Sequence, residues 1–143
     1  MKLSLTTPRG ALVDTDVEEV TAPGTEGEFG VLPGHVPLMA ALKPGVLSYK
    51  TKEHTGFVAV GEGFLQVAPL PQATDGRDRV LVLVDRAMPA GDVDRAAAEK
   101  ELQAADKEIS AWKGELDGAY QALLTRRQWA QARLDAAGRL APH

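Results

Sequence analysis

Hydrophobic residues in the first ninety positions form short runs that alternate with polar residues. Each run has four to six residues, is rich in valine and leucine, and is bounded by glycine, proline or aspartate. The clearest runs are residues 46–49, 57–60, 64–67 and 80–84. Runs of this length, with no helical stretch between them, predict the strands of an all-β sandwich or barrel. Because residues 80–84 are apolar throughout, we expect that strand to be buried on both faces.

The pattern changes after residue 91, where apolar residues recur at intervals of three and four and therefore predict amphipathic helices. One face of the first helix carries Ala98, Leu102, Ala105, Ile109, Trp112 and Leu116. One face of the second helix carries Tyr120, Leu123, Ala130, Leu134 and Ala137. We expect Asp92 and Asp117 to cap the two helices and Gly138 to end the second. The two helices then form an antiparallel hairpin.

The uneven use of glycine and proline indicates two parts. Residues 1–91 contain 11 of the 14 glycines and eight of the nine prolines, whereas the later part is rich in alanine, with runs at residues 96–98 and 104–105. A turn-rich region followed by an alanine-rich region predicts a β domain followed by a helical one. We place a β-sandwich at residues 1–90 and a helical hairpin at residues 91–143. Residues 69–79, which lack periodicity, are expected to form an exposed hairpin loop.

Composition excludes most kinds of chemistry. The 143 residues include no cysteine, which rules out disulfides, thiolate metal sites and cysteine nucleophiles. A net charge of −4 argues against binding to nucleic acid. The three histidines are scattered and no serine lies in a Gly-x-Ser-x-Gly context, so we expect no metal, no cofactor and no catalytic residues. Neither a membrane-spanning run nor a signal peptide is recognisable, and a soluble protein is expected.

The two predicted helices carry opposite charge. Residues 92–117 contain eight acidic and four basic side chains, a net charge of −4. Residues 118–143 contain four arginines and one aspartate, a net charge of +3. Opposite charges favour pairing of the helices, although exposed ion pairs contribute less than about 1 kcal/mol each. The sequence leaves two interpretations of these charges open, which are two solvated helix faces or a basic helix that also meets an acidic partner elsewhere.

A long stretch resembles a known family. Residues 23–38, PGTEGEFGVLPGHVPL, closely resemble the signature region of the epsilon subunit of F-type ATP synthases. Residues 41–47, 57–67 and 82–87 resemble later parts of the same family, and the resemblance extends over the whole chain. The chain departs from the family pattern in a longer segment at residues 69–79. It also has Glu62 where a small residue is more typical.

The resemblance implies a ten-stranded β-sandwich followed by two helices, in a subunit that performs no bond chemistry. It also implies a place in the central rotor, where the sandwich contacts the gamma subunit on one side and the c-ring at its lower end. The hairpin would fold against the sandwich or extend towards the alpha/beta catalytic head and block rotation in the hydrolysis direction. Membrane association would then arise only through the complex, at the cytoplasmic face of a bacterial inner membrane.

Two sets of contact residues are expected under this resemblance. The first is a stiff rotor-contact loop, in which the glycines and prolines fix the backbone and the acids meet polar or basic groups of the ring. It consists of Glu26, Glu28, Phe29, Gly30, Pro33, Gly34, His35 and Pro37. We assign His35 no proton chemistry. The second set is Arg126, Arg127 and Arg133 in the basic helix, which we expect to meet an acidic partner when the hairpin extends.

A nucleotide-binding motif of some relatives is broken in this chain. The motif has Ile or Leu, Asp, two variable residues, Arg and Ala, and residues 93–98 read VDRAAA. Asp94 and Ala98 match, but Ala97 occupies the arginine position. Arg95 is a poor substitute, because two helical residues rotate a side chain by about 200°. We therefore expect no response to ATP. Alternatives outside the family are a free-standing β-sandwich adaptor, a ligand-binding sandwich and a coiled-coil adaptor.

Overall fold

The computed structural model describes residues 1–34, 37–68 and 78–140. Within them, ten strands are followed by a short 3-10 helix (Ala90–Asp92) and two α-helices. The strands are β1 (Lys2–Thr7), β2 (Gly10–Asp16), β3 (Glu19–Gly24), β4 (Gly27–Val31), β5 (Leu38–Leu42), β6 (Gly45–Lys50), β7 (Thr55–Val60), β8 (Gly63–Ala68), β9 (Arg79–Val84) and β10 (Ala87–Pro89). The helices are α1 (Arg95–Ser110) and α2 (Gly118–Leu140). The predicted sandwich followed by two helices is confirmed.

The strands follow one hydrogen-bonded path that folds into two layers. Its order is β10-β7-β6-β3-β5-β8-β9-β1-β2, and β4 pairs with β3 beside the path. The junction between β3 and β5 rests on a single paired position, Gly24 with Leu42. The first layer therefore contains β10, β7, β6, β3 and β4, and the second contains β5, β8, β9, β1 and β2. Large aliphatic side chains from both layers fill the space between them, among them Leu3, Leu47, Leu65 and Val82.

Strand β9 alternates in burial, so the expectation that it is covered on both faces is wrong. Val80, Val82 and Val84 point into the core, whereas 49% of Leu83 is exposed. β9 lies between β8 and β1, so its backbone is paired on both sides. Its apolar outward residue lies instead on the outer surface of the sandwich. Arg79 is the first residue of β9, so the predicted loop ends before it, and residues 69–77 of that loop lie outside the described residues.

Asp94, rather than Asp92, caps α1. Its Oδ1 accepts a hydrogen bond of 3.1 Å from the Ala97 amide, while Asp92 belongs to the preceding 3-10 helix. The predicted cap of α2 is confirmed, because Asp117 Oδ1 accepts from the Ala119 and Tyr120 amides. α2 continues through Gly138 to Leu140, so the predicted stop at Gly138 is wrong.

The first helix is shorter than predicted. α1 ends at Ser110, so Trp112 and Leu116 lie beyond it rather than on its apolar face. Leu116 is 74% exposed. The Trp112 ring packs against Tyr120 at the start of α2, with 5.5 Å between the ring centroids. Trp112 therefore closes the connection between the helices, where a tryptophan on a longer α1 was expected.

Helix α2 is buried on two faces rather than on the single predicted face. Leu123, Ala130 and Ala137 are buried along the seam that was expected to meet α1. Ala132 and Ala136 are buried on a second face, in a cluster with Ala59 of β7. This second face packs on β6 and β7 of the first layer. The hairpin is therefore docked against the sandwich in this structure.

Candidate functional site

The predicted rotor-contact loop is divided by a strand. Glu26 lies in the turn between β3 and β4, whereas Glu28, Phe29 and Gly30 belong to β4. Pro33, Gly34 and Pro37 lie between β4 and β5, and His35 is outside the described residues. β4 has five residues, so about 13 Å separates its ends at roughly 3.3 Å per residue. The interpretation of these eight residues as one loop is wrong.

The strand pairing places the two halves of that segment at opposite ends of the sandwich. One end, the Glu26 end, is formed by the turns at residues 8–9, 25–26, 43–44, 61–62 and 85–86. The other, the Gly34 end, is formed by residues 17–18, 32–34, 51–54 and 78. Glu62, where the sequence departs from the family pattern, lies with Glu26 at the first of these ends. Glu28 pairs with Pro23 near the same end.

Gly24 permits the tight β3–β4 hairpin that carries Glu26. A Cβ atom on Gly24 would lie 2.8 Å from the Gly27 carbonyl oxygen and 2.9 Å from the Phe29 ring. Any larger residue would force the two strands or the ring apart. Close packing therefore requires a glycine at this turn, with Phe29 lying over it.

Gly34 is held by a residue that the sequence does not single out. Its φ is +83°, and its amide donates a hydrogen bond of 2.8 Å to Asp78 Oδ2. The Asp78 carbonyl accepts from the Lys2 amide at 2.9 Å. Asp78 therefore ties the connection after β4 to the beginnings of β9 and β1. Gly34 and Asp78 are 44 positions apart in the sequence, so no local sequence pattern predicts this hydrogen bond.

An exposed apolar surface lies on the outer face of the second layer. Met39, Phe64 and Leu83 are 65%, 55% and 49% exposed. Phe64 is paired directly with Leu83 and with Ala41, so these side chains share a face, and Met39 is two residues from Ala41. We call Met39, Phe64 and Leu83 the outer patch. Contiguous exposed apolar side chains are common in protein-interaction surfaces, which makes the outer patch a candidate contact surface. The patch was missed because residues 80–84 were interpreted as buried on both faces.

The three arginines of the predicted regulatory helix all reach acids of α1. Arg126 donates to Glu108 at 2.9 Å, Arg127 pairs with Asp106, and Arg133 pairs with Glu101. Their surroundings differ, because the Arg133 side chain is only 10% exposed whereas that of Arg126 is 51% exposed. In the docked hairpin, the arginines of the basic helix are thus paired with acids of the same chain.

Asp94 and Arg95 do not form a ready anion site. Asp94 contributes its carboxylate to the cap of α1. Arg95 and Ala97 are both exposed in the first turn. Across residues 1–34, 37–68 and 78–140, no group of three His, Cys, Asp or Glu side chains is placed to hold a metal ion. Nor does any helix in those ranges combine the length and apolar character needed to cross a membrane.

The fold and its sequence were compared with known proteins. Residues 1–90 match the family model described as ATP synthase, Delta/Epsilon chain, beta-sandwich domain. The ATP synthase epsilon chain of Anaeromyxobacter sp. (strain K) is 40% identical over 139 residues, which cover 97% of this chain and 98% of the relative. ATP synthase epsilon chain 2 of Syntrophotalea carbinolica is 35% identical over 139 residues, covering 97% and 94%.

Two solved structures superpose on this chain. A chain in the cryo-EM structure of the Euglena gracilis mitochondrial ATP synthase, OSCP/F1/c-ring, superposes with a TM-score of 0.73 at 25% identity, covering 94% of this chain and 79% of that chain. A chain of the Tetrahymena thermophila mitochondrial ATP synthase central stalk and c-ring has the same fold, with a TM-score of 0.59, 20% identity and 95% coverage of both chains. The similarity to curated relatives spans the sandwich and the hairpin together. The chain belongs to the ATP synthase epsilon chain family.

Proposed function

We propose that the chain acts as a non-catalytic rotor subunit of an F-type ATP synthase. In this role it joins the gamma subunit to the c-ring and transmits rotation, and it performs no bond chemistry. Family membership across both parts of the chain supports this function over a free-standing adaptor or a ligand-binding sandwich. The two solved relatives come from ATP synthase assemblies that include the c-ring. The complex would lie at the cytoplasmic face of a bacterial inner membrane, with this subunit bound peripherally.

The observation that carries the proposal is the outer patch, which we assign to the gamma subunit. The first layer is covered by α2, whereas the second layer presents Met39, Phe64 and Leu83 to solvent. Aromatic residues and methionine are enriched in the cores of protein interfaces, where a few of them carry most of the binding energy. A torque-bearing contact also requires a rigid base, and these side chains project from paired strands.

The test of this assignment is binding of gamma to variants of the full-length chain. Phe64→Asp and Leu83→Asp should each weaken binding by roughly thirtyfold or more, because an interface hot spot contributes about 2 kcal/mol or more. Leu116→Asp is the matched control, since Leu116 is a large apolar side chain that is 74% exposed and lies between the helices. Wild-type affinity in both patch variants would refute the assignment.

For the c-ring we propose the Glu26 end. Glu26, Glu28 and Glu62 are exposed there, and their charge suits basic or polar loops of a ring subunit. Glu26→Lys combined with Glu28→Lys should reduce coupling of proton flow to ATP synthesis in the reconstituted complex. The control is Glu53→Lys, which reverses the charge of an acid at the Gly34 end. If Glu53→Lys reduced coupling and the Glu26 and Glu28 variant did not, the ring contact would lie at the Gly34 end instead.

We further propose that the hairpin regulates hydrolysis by leaving the sandwich. α2 is docked through small alanine side chains, and its arginines are engaged with α1. When the hairpin extends towards the alpha/beta head, Arg126, Arg127 and Arg133 become available to acidic groups there and oppose rotation in the hydrolysis direction.

A further inference from the structure

Trp129 of α2 lies where the sandwich, α2 and α1 meet. Its ring packs beside the alanine cluster formed with β7, so it belongs to the docking contact itself. Two guanidinium groups approach the ring. The Cζ of Arg86 lies 5.6 Å from the ring centroid, and the Cζ of Arg133 lies 5.4 Å from it. Both distances are within the range in which a cation is attracted to the face of an indole.

The two arginines come from different parts of the chain. Arg86 lies in the turn between β9 and β10 of the sandwich, and the Gly61 amide donates to its carbonyl at 2.9 Å. A Cβ atom on Gly61 would lie 2.9 Å from Arg86 Cγ, so the glycine permits this close placement. Arg133 belongs to α2, one turn beyond Trp129, and its Nε donates to the Trp129 carbonyl at 3.4 Å.

Each arginine is also paired with an acid. Asp85 Oδ2 lies 3.6 Å from Arg86 Nε, and Glu101 of α1 pairs with Arg133. The order of groups is therefore carboxylate, guanidinium, indole, guanidinium and carboxylate. Each acid offsets the positive charge of its arginine, which reduces repulsion between two cations gathered on one ring. We call these five residues, Asp85, Arg86, Trp129, Arg133 and Glu101, the Trp129 ladder.

We propose that the Trp129 ladder is the latch of the docked hairpin, and that it couples the pairing of α1 with α2 to the docking of α2 on the sandwich. The latch itself is argued from contacts within this chain, and only its role in regulating hydrolysis rests on the proposed function. Glu101 lies on α1 and orients Arg133, which in turn contacts the ring that meets the sandwich. Loss of the Glu101 carboxylate therefore loosens a contact that Glu101 does not itself make.

The proposal distinguishes two ion pairs whose acids are similarly exposed but whose arginines are not, at 10% for Arg133 and 51% for Arg126. Glu101–Arg133 and Glu108–Arg126 both join α1 to α2, and the two acids are similarly exposed, at 50% and 56%. Only the first arginine touches Trp129. Glu101→Gln and Glu108→Gln are thus matched variants, which remove one acid from one inter-helix pair and differ in their connection to the ladder.

The experiment measures opening of the docking contact in the isolated full-length chain. The sequence has no cysteine, so Ala136→Cys provides a single thiol on the buried face of α2. Under conditions in which closing is faster than labelling, the labelling rate is proportional to the open population. Arg86→Gln and Glu101→Gln should each accelerate labelling by roughly threefold to tenfold. Glu108→Gln should change the labelling rate by less than about twofold.

Equal labelling rates for Glu101→Gln and Glu108→Gln would overturn the coupling, and an unchanged rate with Arg86→Gln would overturn the latch. A second measurement needs no cysteine. In a Trp112→Phe background Trp129 is the one tryptophan of the chain, and its fluorescence follows release of α2 during urea titration. The midpoint should fall in the two ladder variants and stay unchanged in Glu108→Gln. Because no other subunit is present, a failure of the proposed regulation of hydrolysis would leave these results unaltered.

Discussion

The sandwich and the hairpin are held together by different means. The sandwich core consists of leucine and valine side chains with almost no exposure, set on strands whose backbones are paired. The buried residues that dock α2 are alanines, and the helices pair through Leu123 and small buried alanines together with ion pairs, two of which are exposed. Burying a methylene group stabilises by about 0.8 kcal/mol, so a leucine contributes several times more than an alanine. The sandwich core is therefore held by much more apolar burial than the contact that docks the hairpin on it.

A cavity in the sandwich core should have the largest effect on stability and therefore tests this difference most directly. Leu65 on β8 is fully buried between the layers. Leu65→Ala should lower the free energy of unfolding by about 2–5 kcal/mol, as the lost contacts and the cavity both destabilise. Urea unfolding followed by circular dichroism measures this effect. Leu116→Ala, at an exposed position, is the control, and a similar effect of both variants would contradict the assigned core.

Removing the hairpin should have a smaller effect than that single core substitution. We predict that residues 1–90 fold alone and melt cooperatively, because the ten strands and the valine and leucine core are complete within them. The loss should be about 1–2 kcal/mol, from exposing Ala59 and the flanking part of Phe57. A truncated chain without a cooperative transition, alongside a folded full-length chain, would show that the sandwich depends on the helices.

The sequence predicts the elements of both regions well and their contacts with each other poorly. Strand and helix periods are local, and so are the caps, although Asp94 replaces the expected Asp92. Whether the outward residue of a strand is covered depends on what packs on the outside of the sandwich, which the strand's own pattern does not reveal, and therefore the exposure of Leu83 was missed. The contact of Asp78 with Gly34 and that of Arg86 with Trp129 join distant segments, and neither leaves a pattern in the sequence.

The arginines of α2 offer a test in which two explanations predict opposite signs. If they act on the catalytic head, replacing Arg126, Arg127 and Arg133 together by alanine should raise ATP hydrolysis of the reconstituted complex. We expect a rise of roughly twofold to fivefold, the range that corresponds to ion-pair energies below about 1 kcal/mol. If the arginines only keep the hairpin docked, the same variant should release it and lower hydrolysis.

Neutralising the acids of α1 is the counterpart of the triple arginine variant. Asp106→Asn with Glu108→Gln leaves the arginines intact and removes two of their partners within the hairpin. Hydrolysis should then fall, since the hairpin pairs less tightly and its arginines are free for the head. Unchanged hydrolysis in both multiple variants, with normal assembly, would count against an inhibitory role for this helix.

The smallest effect is expected from ATP. The motif associated with ATP binding places an arginine one position before its last alanine, and this chain has Ala97 there. An arginine offers a phosphate a bidentate, charge-assisted contact that a methyl group does not replace. Asp94, which matches the motif, already accepts the Ala97 amide in the cap of α1. Arg95 is about 200° away around the helix from the position that Ala97 occupies.

We therefore predict that calorimetric titration of the full-length chain with ATP shows no saturating heat below millimolar concentration. Ala97→Arg is the informative partner variant, because residue 97 is exposed in the first turn and accepts a longer side chain without repacking. A gain of binding in that variant would identify the missing guanidinium as the cause. Sub-millimolar binding by the unaltered chain would contradict the prediction, and loss of that binding in Arg95→Gln would show that Arg95 supplies the contact despite its different direction.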